Sequence, residues 1–162
     1  MNKLTIRMAE KKDIPDILRL LVQVNNVHAD IRPDLFIKDK TKYDKESLEK
    51  ILVNKNTPVL AAVDEEGLAG YLFGEFQLHR GVNNFHDMTT LYIDDLCVDE
   101  RRRKQGVGRA LYEAALELAQ KNDCYNVTLN VWEGNDPARD FYEAQGMRVL
   151  KTCMETVLGE KN

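Results

Sequence analysis

Between residues 93 and 111 the chain reads IDDLCVDERRRKQGVGRAL. Its apolar start predicts the end of a buried strand over Thr90–Val98, followed by a charged connection over Asp99–Gln105. An apolar stripe at helical spacing then predicts an amphipathic helix from about Gly106 to Lys121. The stretch therefore predicts a strand–turn–helix unit with two glycines, Gly106 and Gly108, where the helix begins.

The turn of this unit is suited to binding a phosphate. Glycines let the backbone approach a ligand, and the first N–H groups of a helix have no partner within it and lie at the positive end of its dipole. Five cationic side chains surround the turn, namely Arg101, Arg102, Arg103, Lys104 and Arg109. A P-loop is excluded because no Gly-Lys-Ser/Thr occurs, and the dinucleotide fingerprint GxGxxG lacks its third glycine after Gly108.

Strand and helix patterns alternate along the rest of the chain. Strands are predicted over 4–7, Val59–Val63, Leu68–Leu78, Asn126–Trp132 and Met147–Leu158. Helices are predicted from Ile14 to Val22, around Leu48–Leu52 and over Pro137–Ala144. Residues 25–42 are irregular and indicate a loop or a broken helix. With no linker and no repeat, the order predicts one domain over residues 1–162, with mixed α and β elements around a single sheet.

Two motifs resemble those of one enzyme family. The pattern RxxGxG from Arg103 to Gly108 resembles motif A of the GCN5-related N-acetyltransferases, and NDPARDFYEAQGM from Asn135 to Met147 resembles their motif B, NxxAxxFYExxGF. The second motif departs from the family pattern only in an apolar exchange, Met147 for Phe. The resemblance extends over nearly the whole chain and is weakest from Asn25 to Asn56.

The resemblance implies the fold, the cosubstrate and the residues that bind it. The fold is an α/β (α+β) acyl-CoA N-acyltransferase fold, with a central, mostly antiparallel, twisted mixed sheet, helices on both faces and one splayed strand pair. Acetyl-CoA is the implied cosubstrate. Its pyrophosphate would be bound by the turn, at Arg103, Lys104, Gln105, Gly106, Val107, Gly108 and Arg109. Its pantetheine arm would lie along the strand before the turn, at Leu96, Cys97 and Val98. Asn135, after the strand that follows the helix, would contact the arm from the other side.

Transfer of an acetyl group to an amine requires proton management rather than a nucleophilic side chain. Tyr142 matches the family position that often protonates the departing thiolate, although packing beneath the cofactor is the alternative. Asp94 matches a position where an acidic residue can act as the base, and Glu75 is a second candidate. Either carboxylate could instead bind a substrate cation. Because adjacent side chains on a strand point oppositely, Asp94 and Asp95 are predicted on different faces.

Composition narrows the partners and the compartment. The 162 residues include 23 Lys and Arg against 27 Asp and Glu, so the net charge of −4 argues against nucleic acid and membrane partners. No apolar run approaches the roughly 20 residues of a membrane-spanning helix. The start shows no signal-peptide pattern, so we expect a cytoplasmic protein. The three cysteines, Cys97, Cys124 and Cys153, have no zinc spacing, so no metal site is predicted.

The sequence leaves the acceptor open. The family resemblance allows a polyamine, an amino acid, an aminoglycoside, or a protein N-terminus or lysine as the acceptor. Because members of the family often dimerise, the resemblance also implies a homodimer. Two other classes of function stay open at this point. One is a CoA-binding sensor without turnover, and the other is an interaction module that uses the fold without a ligand.

Overall fold

A computed structural model describes residues 3–159 and contains one five-stranded sheet with helices on both faces. The strands are β1 (Thr5–Met8), β2 (Val59–Asp64), β3 (Gly67–His79), β4 (Met88–Val98) and β5 (Asn126–Leu129). The α-helices are α1 (Ile14–Ile31), α2 (Lys45–Val53), α3 (Val107–Lys121) and α4 (Asp136–Ala144). Two short 3-10 turns cover Lys11–Asp13 and Glu100–Arg102.

The sheet runs in the order β1-β2-β3-β4-β5, and every pair is antiparallel except β4 with β5, which is parallel. The two parallel strands are connected by α3, as expected for a β–α–β crossover. The predicted fold class is therefore confirmed, including its mostly antiparallel mixed sheet and its splayed strand pair.

Two apolar layers cover the two faces of the sheet. On one face, α1 and α2 bury residues such as Ile17, Leu20 and Leu48 against Tyr71 and Phe73 of β3. On the other face, α3 buries its own apolar stripe against the strands, with Val107, Leu111, Tyr112, Ala115 and Ala119. Helices therefore cover the strands on both faces, and the centre of the sheet is close-packed core.

Two predicted elements end at clearly different residues in the structure. The first helix extends through Ile31 rather than stopping near Val22, since no helix breaker occurs before Pro33. The strand predicted to reach Trp132 ends at Leu129, where β5 diverges from β4.

The predicted final strand, Met147–Leu158, is absent, because residues 147–157 form no ladder with any strand of the described chain. A strand requires a neighbour that takes up its N–H and C=O groups, and this segment instead leaves α4 as irregular chain. Five of its large apolar side chains are exposed, namely Val149, Leu150, Met154, Val157 and Leu158. We call residues 147–158 the C-terminal segment.

Candidate active site

A gap opens between β4 and the edge strand β5 beyond their last paired residues. The two strands pair from Thr90↔Asn126 to Ile93↔Leu129, after which β4 continues alone to Val98. Asp94 is therefore the first residue of β4 at the gap. This is the splayed strand pair that the family resemblance implies.

The main chain of β4 exposes alternate residues to the gap. The N–H of Asp99 donates to the C=O of Ala69 at 2.9 Å, so this position bonds to β3. In an antiparallel ladder, bonded and non-bonded positions alternate, which directs the backbone groups of Leu96 and Val98 away from β3 and toward the gap. The C=O of Val98 accepts a hydrogen bond from Gln23 Nε2 at 2.9 Å, so its N–H is the group left for a ligand. Cys97 is paired with Tyr71, and its backbone faces β3.

The turn before α3 has the backbone shape that a phosphate site requires. Gly106 is the N-cap of α3 with φ +80°, and Lys104 also has a positive φ of 60°. A Cβ added at Gly106 would meet no atom within 4 Å, so the space above the turn is open. Gly108 has a different role, since its added Cβ would lie 3.2 Å from Cζ of Phe141, where α3 and α4 approach each other.

The cationic side chains of the turn divide into two groups. Three of them have carboxylate partners in ion pairs, which are Arg101 with Asp99, Arg102 with Asp64 and Arg109 with Glu113. Arg103 and Lys104 have no carboxylate partner among residues 3–159 and therefore keep their charge for a ligand. The sequence-predicted cluster of five cations thus contains two that are available to a phosphate.

Asp94 and Asp95 lie on the same face of the sheet, which corrects the prediction that they would point apart. Phe73 pairs with Asp95 but the next residue, Gly74, pairs with Ile93, so a β-bulge places Asp94 out of register. The added residue re-aims the Asp94 side chain toward α1 and α2. Both carboxylates therefore face the same aromatic cluster of Tyr43, Phe73 and Tyr71.

Each carboxylate is bound by a tyrosine. Tyr43 Oη donates to Asp94 Oδ2 at 2.7 Å, and Tyr71 Oη donates to Asp95 Oδ2 at 2.6 Å. The other Asp94 oxygen, Oδ1, accepts a hydrogen bond from Lys42 Nζ at 2.7 Å. Sequence reasoning missed Lys42, Tyr43 and Tyr71, because no motif contains them and Lys42 and Tyr43 lie in or beside an irregular segment.

Burial and mutual repulsion shift the protonation of this cluster. Burial raises the pKa of Asp95 to about 6, with a further rise from the charge of Asp94 and an opposing effect of the Tyr71 hydrogen bond. Burial and the hydrogen bond to Asp94 raise the pKa of Tyr43 to about 12. Burial also raises the pKa of Tyr71 well above its usual value. The two phenols are therefore donors at neutral pH, and Asp95 changes charge just below it.

Tyr142 is held on α4 between Tyr112 and Phe141, with ring centroids 6.4 Å and 5.1 Å away. Burial is the main cause that raises its pKa, and the negative charge of Asp95 raises it further. Tyr142 thus stays protonated at neutral pH and can donate. Asn135 accepts a hydrogen bond from the N–H of Ala138 at 3.4 Å and so caps the N-terminus of α4.

The remaining candidates from the sequence lie away from this cluster or are inert. Glu75 is exposed on β3 opposite Tyr92. Cys97 is buried, its thiol donates to the C=O of Leu20 at 3.6 Å, and burial raises its pKa, so it is not an activated nucleophile. Among residues 3–159, no group of three or more potential ligands could hold a metal ion. Within the same residues, no helix has the length and apolar character of a membrane span.

Comparison with known proteins identifies relatives of this chain. The Acetyltransferase (GNAT) family profile matches residues 21–147. An uncharacterized N-acetyltransferase of Lactobacillus delbrueckii subsp. lactis is 25% identical over 158 residues, which cover 91% of this chain and 86% of the relative.

Two solved structures resemble the whole chain. A mutant of the BH1408 protein from Bacillus halodurans is 31% identical with a TM-score of 0.91, over 95% of this chain and 99% of that protein. An aminoglycoside N-acetyltransferase in complex with CoA has a TM-score of 0.72 at 14% identity, over 98% of this chain and 97% of that chain. The latter likeness is one of fold.

Proposed function

The chain belongs to the acetyltransferase (GNAT) family and is an acyltransferase, and on that premise we propose that it transfers the acetyl group of acetyl-CoA directly to a primary amine. One observation carries this proposal. The gap between β4 and β5 leads from the open turn at Gly106, past the backbone of Leu96 and Val98, to the carboxylate pair that begins at Asp94. Its two ends thus offer a phosphate site and a proton acceptor.

The residues of the gap fit acetyl-CoA. The backbone from Arg103 to Arg109 would bind the pyrophosphate, helped by the unpaired charges of Arg103 and Lys104. The N–H and C=O groups of Leu96 and the N–H of Val98 would pair with the pantetheine arm in the manner of an added strand. Asn135, at the start of α4, would meet that arm from the opposite side of the gap.

The chemistry needs one group that accepts a proton and one that donates it. In the proposed reaction Asp94 accepts the proton of the acceptor's ammonium, with Asp95 beside it on the same face. The neutral amine then attacks the thioester carbon, the C–S bond breaks, and Tyr142 donates its proton to the CoA thiolate. The proposed donor is in the required state at neutral pH, since burial raises the pKa of Tyr142 and keeps its phenol protonated.

The acceptor is proposed to be cationic, either a small molecule or a protein N-terminus or lysine. Two adjacent carboxylates favour a positively charged amine. His28, Phe36 and Trp132 form a cluster of mutually tilted aromatic rings, with centroids 5.2 to 6.5 Å apart, that could contact the apolar part of an acceptor. The aminoglycoside acetyltransferase with the same fold supports the small-molecule class. We also propose that the protein forms a homodimer through the C-terminal segment.

The test combines binding with turnover. Calorimetry should give a Kd for acetyl-CoA well below 1 mM, the value that corresponds to about −4 kcal/mol, with ATP and NADH as control ligands. A panel of amines with free-thiol detection should then identify an acceptor. Tyr142→Phe should lower kcat by roughly 10²–10⁴-fold while acetyl-CoA binding is kept. Tyr125→Phe, at an exposed tyrosine before β5, is the matched control and should leave kcat unchanged.

Two outcomes would contradict the proposal. If the folded protein does not bind acetyl-CoA, the turn before α3 does not have the proposed role in binding the pyrophosphate. Binding without turnover on any amine would favour a CoA-binding module instead of an enzyme that acts on amines. Unchanged kcat in Tyr142→Phe would exclude only the donor role of Tyr142.

A further inference from the structure

One lysine of this chain already places its amine on the proposed base. Lys42 Nζ lies 2.7 Å from Asp94 Oδ1, and the same nitrogen lies 5.4 Å from the ring centroid of Tyr43. The other lysine ion pairs of the described residues join surface side chains, as in Lys50 with Glu46 at 3.3 Å. Among residues 3–159, Lys42 alone pairs with a carboxylate of β4.

This amine also lies at the entrance of the gap. Asp94 is the first residue beyond the last β4–β5 pair, so its carboxylate borders the space assigned above to the thioester end of acetyl-CoA. Lys42 comes from the irregular segment between α1 and α2, and its side chain is 53% exposed. About half of the side chain is thus free of packing contacts, which leaves the long stem room to carry the amine from Asp94 toward the gap.

We propose that Lys42 is an intramolecular acetyl acceptor, a modification site that rests on the proposed function. When acetyl-CoA is bound and no other amine is present, Asp94 takes a proton from the Lys42 ammonium. The neutral Nζ forms an N–C bond to the acetyl carbonyl carbon and the thioester C–S bond breaks. Tyr142 donates its proton to the CoA thiolate and regains one from the amide nitrogen, which loses its second proton. The products are Nε-acetyl-Lys42 and CoA, with no oxidant or further reactant required.

The modification changes the site that performs it. Acetyl-lysine is neutral, so the ion pair with Asp94 is lost while the Tyr43 hydrogen bond to the other oxygen is kept. The freed oxygen can then bind the ammonium of an external acceptor. Lys42 therefore occupies, before modification, the position at which an external amine would enter.

The experiment follows acetylation of each lysine in the full chain incubated with acetyl-CoA alone. Peptide mass spectrometry should find Lys42 acetylated at least about tenfold faster than Lys50, the internal control on α2 with its own ion pair. The rate at Lys42 should not depend on protein concentration, as expected for transfer within one molecule. Asp94→Asn should slow Lys42 by roughly 10²-fold and leave Lys50 unchanged, and Lys42→Arg should remove this product.

The same samples separate failure of this inference from failure of the proposed function. If the protein binds acetyl-CoA and acetylates an external amine, but Lys42 reacts no faster than Lys50, the inference alone is wrong. A Lys42 rate proportional to protein concentration also overturns it, because the transfer then occurs between molecules. If calorimetry detects no binding of acetyl-CoA, both the proposed function and the acetylation of Lys42 are wrong.

Discussion

The carboxyl group of Asp95, next to that of Asp94, should titrate at a higher pH than an ordinary aspartate. The pKa of Asp95, about 6, is raised by burial and by the charge of Asp94, whereas the hydrogen bond from Tyr71 lowers it. Carboxyl ¹³C NMR should therefore find Asp95 titrating near pH 6. Asp94→Asn should lower this pKa and Tyr71→Phe should raise it, and Asp95→Asn assigns the signal. Shifts in the same direction for both variants would contradict the assigned causes.

The same pKa makes stability depend on pH with a defined sign. Since the pKa of Asp95 is higher in the folded protein than its ordinary 3.8, the folded state binds this proton more tightly than the unfolded chain. The contribution to the free energy of unfolding is thus fully present below about pH 4 and is lost as the pH rises through 6. Chemical denaturation of Asp95→Asn should lack this part of the decline.

Individual residues could be predicted from the sequence where a motif contains them. Tyr142 and the glycines of the turn follow from their motifs, but the shared face of Asp94 and Asp95 does not. That face depends on a β-bulge, and a bulge is defined by the register with β3, which side-chain alternation within one strand cannot show. Lys42 and Tyr43 reach the site from a segment without periodicity, so the sequence offers no signal for them.

The turn before α3 is the feature to test at the scale of an element. Gly106→Ala places a side chain in the left-handed region, which costs about 1–2 kcal/mol and turns the first N–H groups of α3 away from their positions. We expect the Kd for acetyl-CoA to rise about tenfold, equivalent to 1.4 kcal/mol. Calorimetry and thermal unfolding would measure the two effects separately.

Gly81 provides a matched control for this change. It also has a positive φ, +68°, and open space around an added Cβ, but it lies in the loop between β3 and β4. Gly81→Ala should therefore reduce stability by a similar amount while leaving the Kd for acetyl-CoA unchanged. An equal loss of affinity in both variants would show that the turn does not bind the cofactor directly.

Element types were predictable where apolar periodicity is strong, and element ends were less so. The stripe of α3 and the β2–β3 hairpin follow from their patterns, because both bury one regular set of apolar residues. The extension of α1 to Ile31 depends on the absence of a breaker rather than on an apolar repeat. The end of β5 at Leu129 is set by its divergence from β4, which is a property of the pair.

The C-terminal segment is the part of the protein whose apolar side chains and backbone groups a monomer leaves uncovered. Its apolar residues resemble a strand, yet only its first residue, Met147, packs against the core of the described chain. Farther along, Glu155 forms an ion pair with Arg32 at the end of α1. The sheet likewise ends in β5, whose outer edge has no neighbouring strand in the described chain. Sequence patterning predicts a strand, but whether a strand forms depends on a partner that a single chain need not supply.

The unpaired outer edge of β5 and the unpaired C-terminal segment together predict a dimer. In this dimer the C-terminal segment of each copy would cover exposed surface of the other copy. Leu150, Met154 and Leu158 are 70%, 85% and 90% exposed, so a second copy would cover a large apolar surface. Sedimentation equilibrium should find a dimer, and Leu150→Glu combined with Met154→Glu should yield a folded monomer. Val53→Glu, at an apolar residue of α2 that is 83% exposed, should remain dimeric. A monomeric parent protein would contradict the prediction, because the exposed segment would then need no second copy to remain soluble.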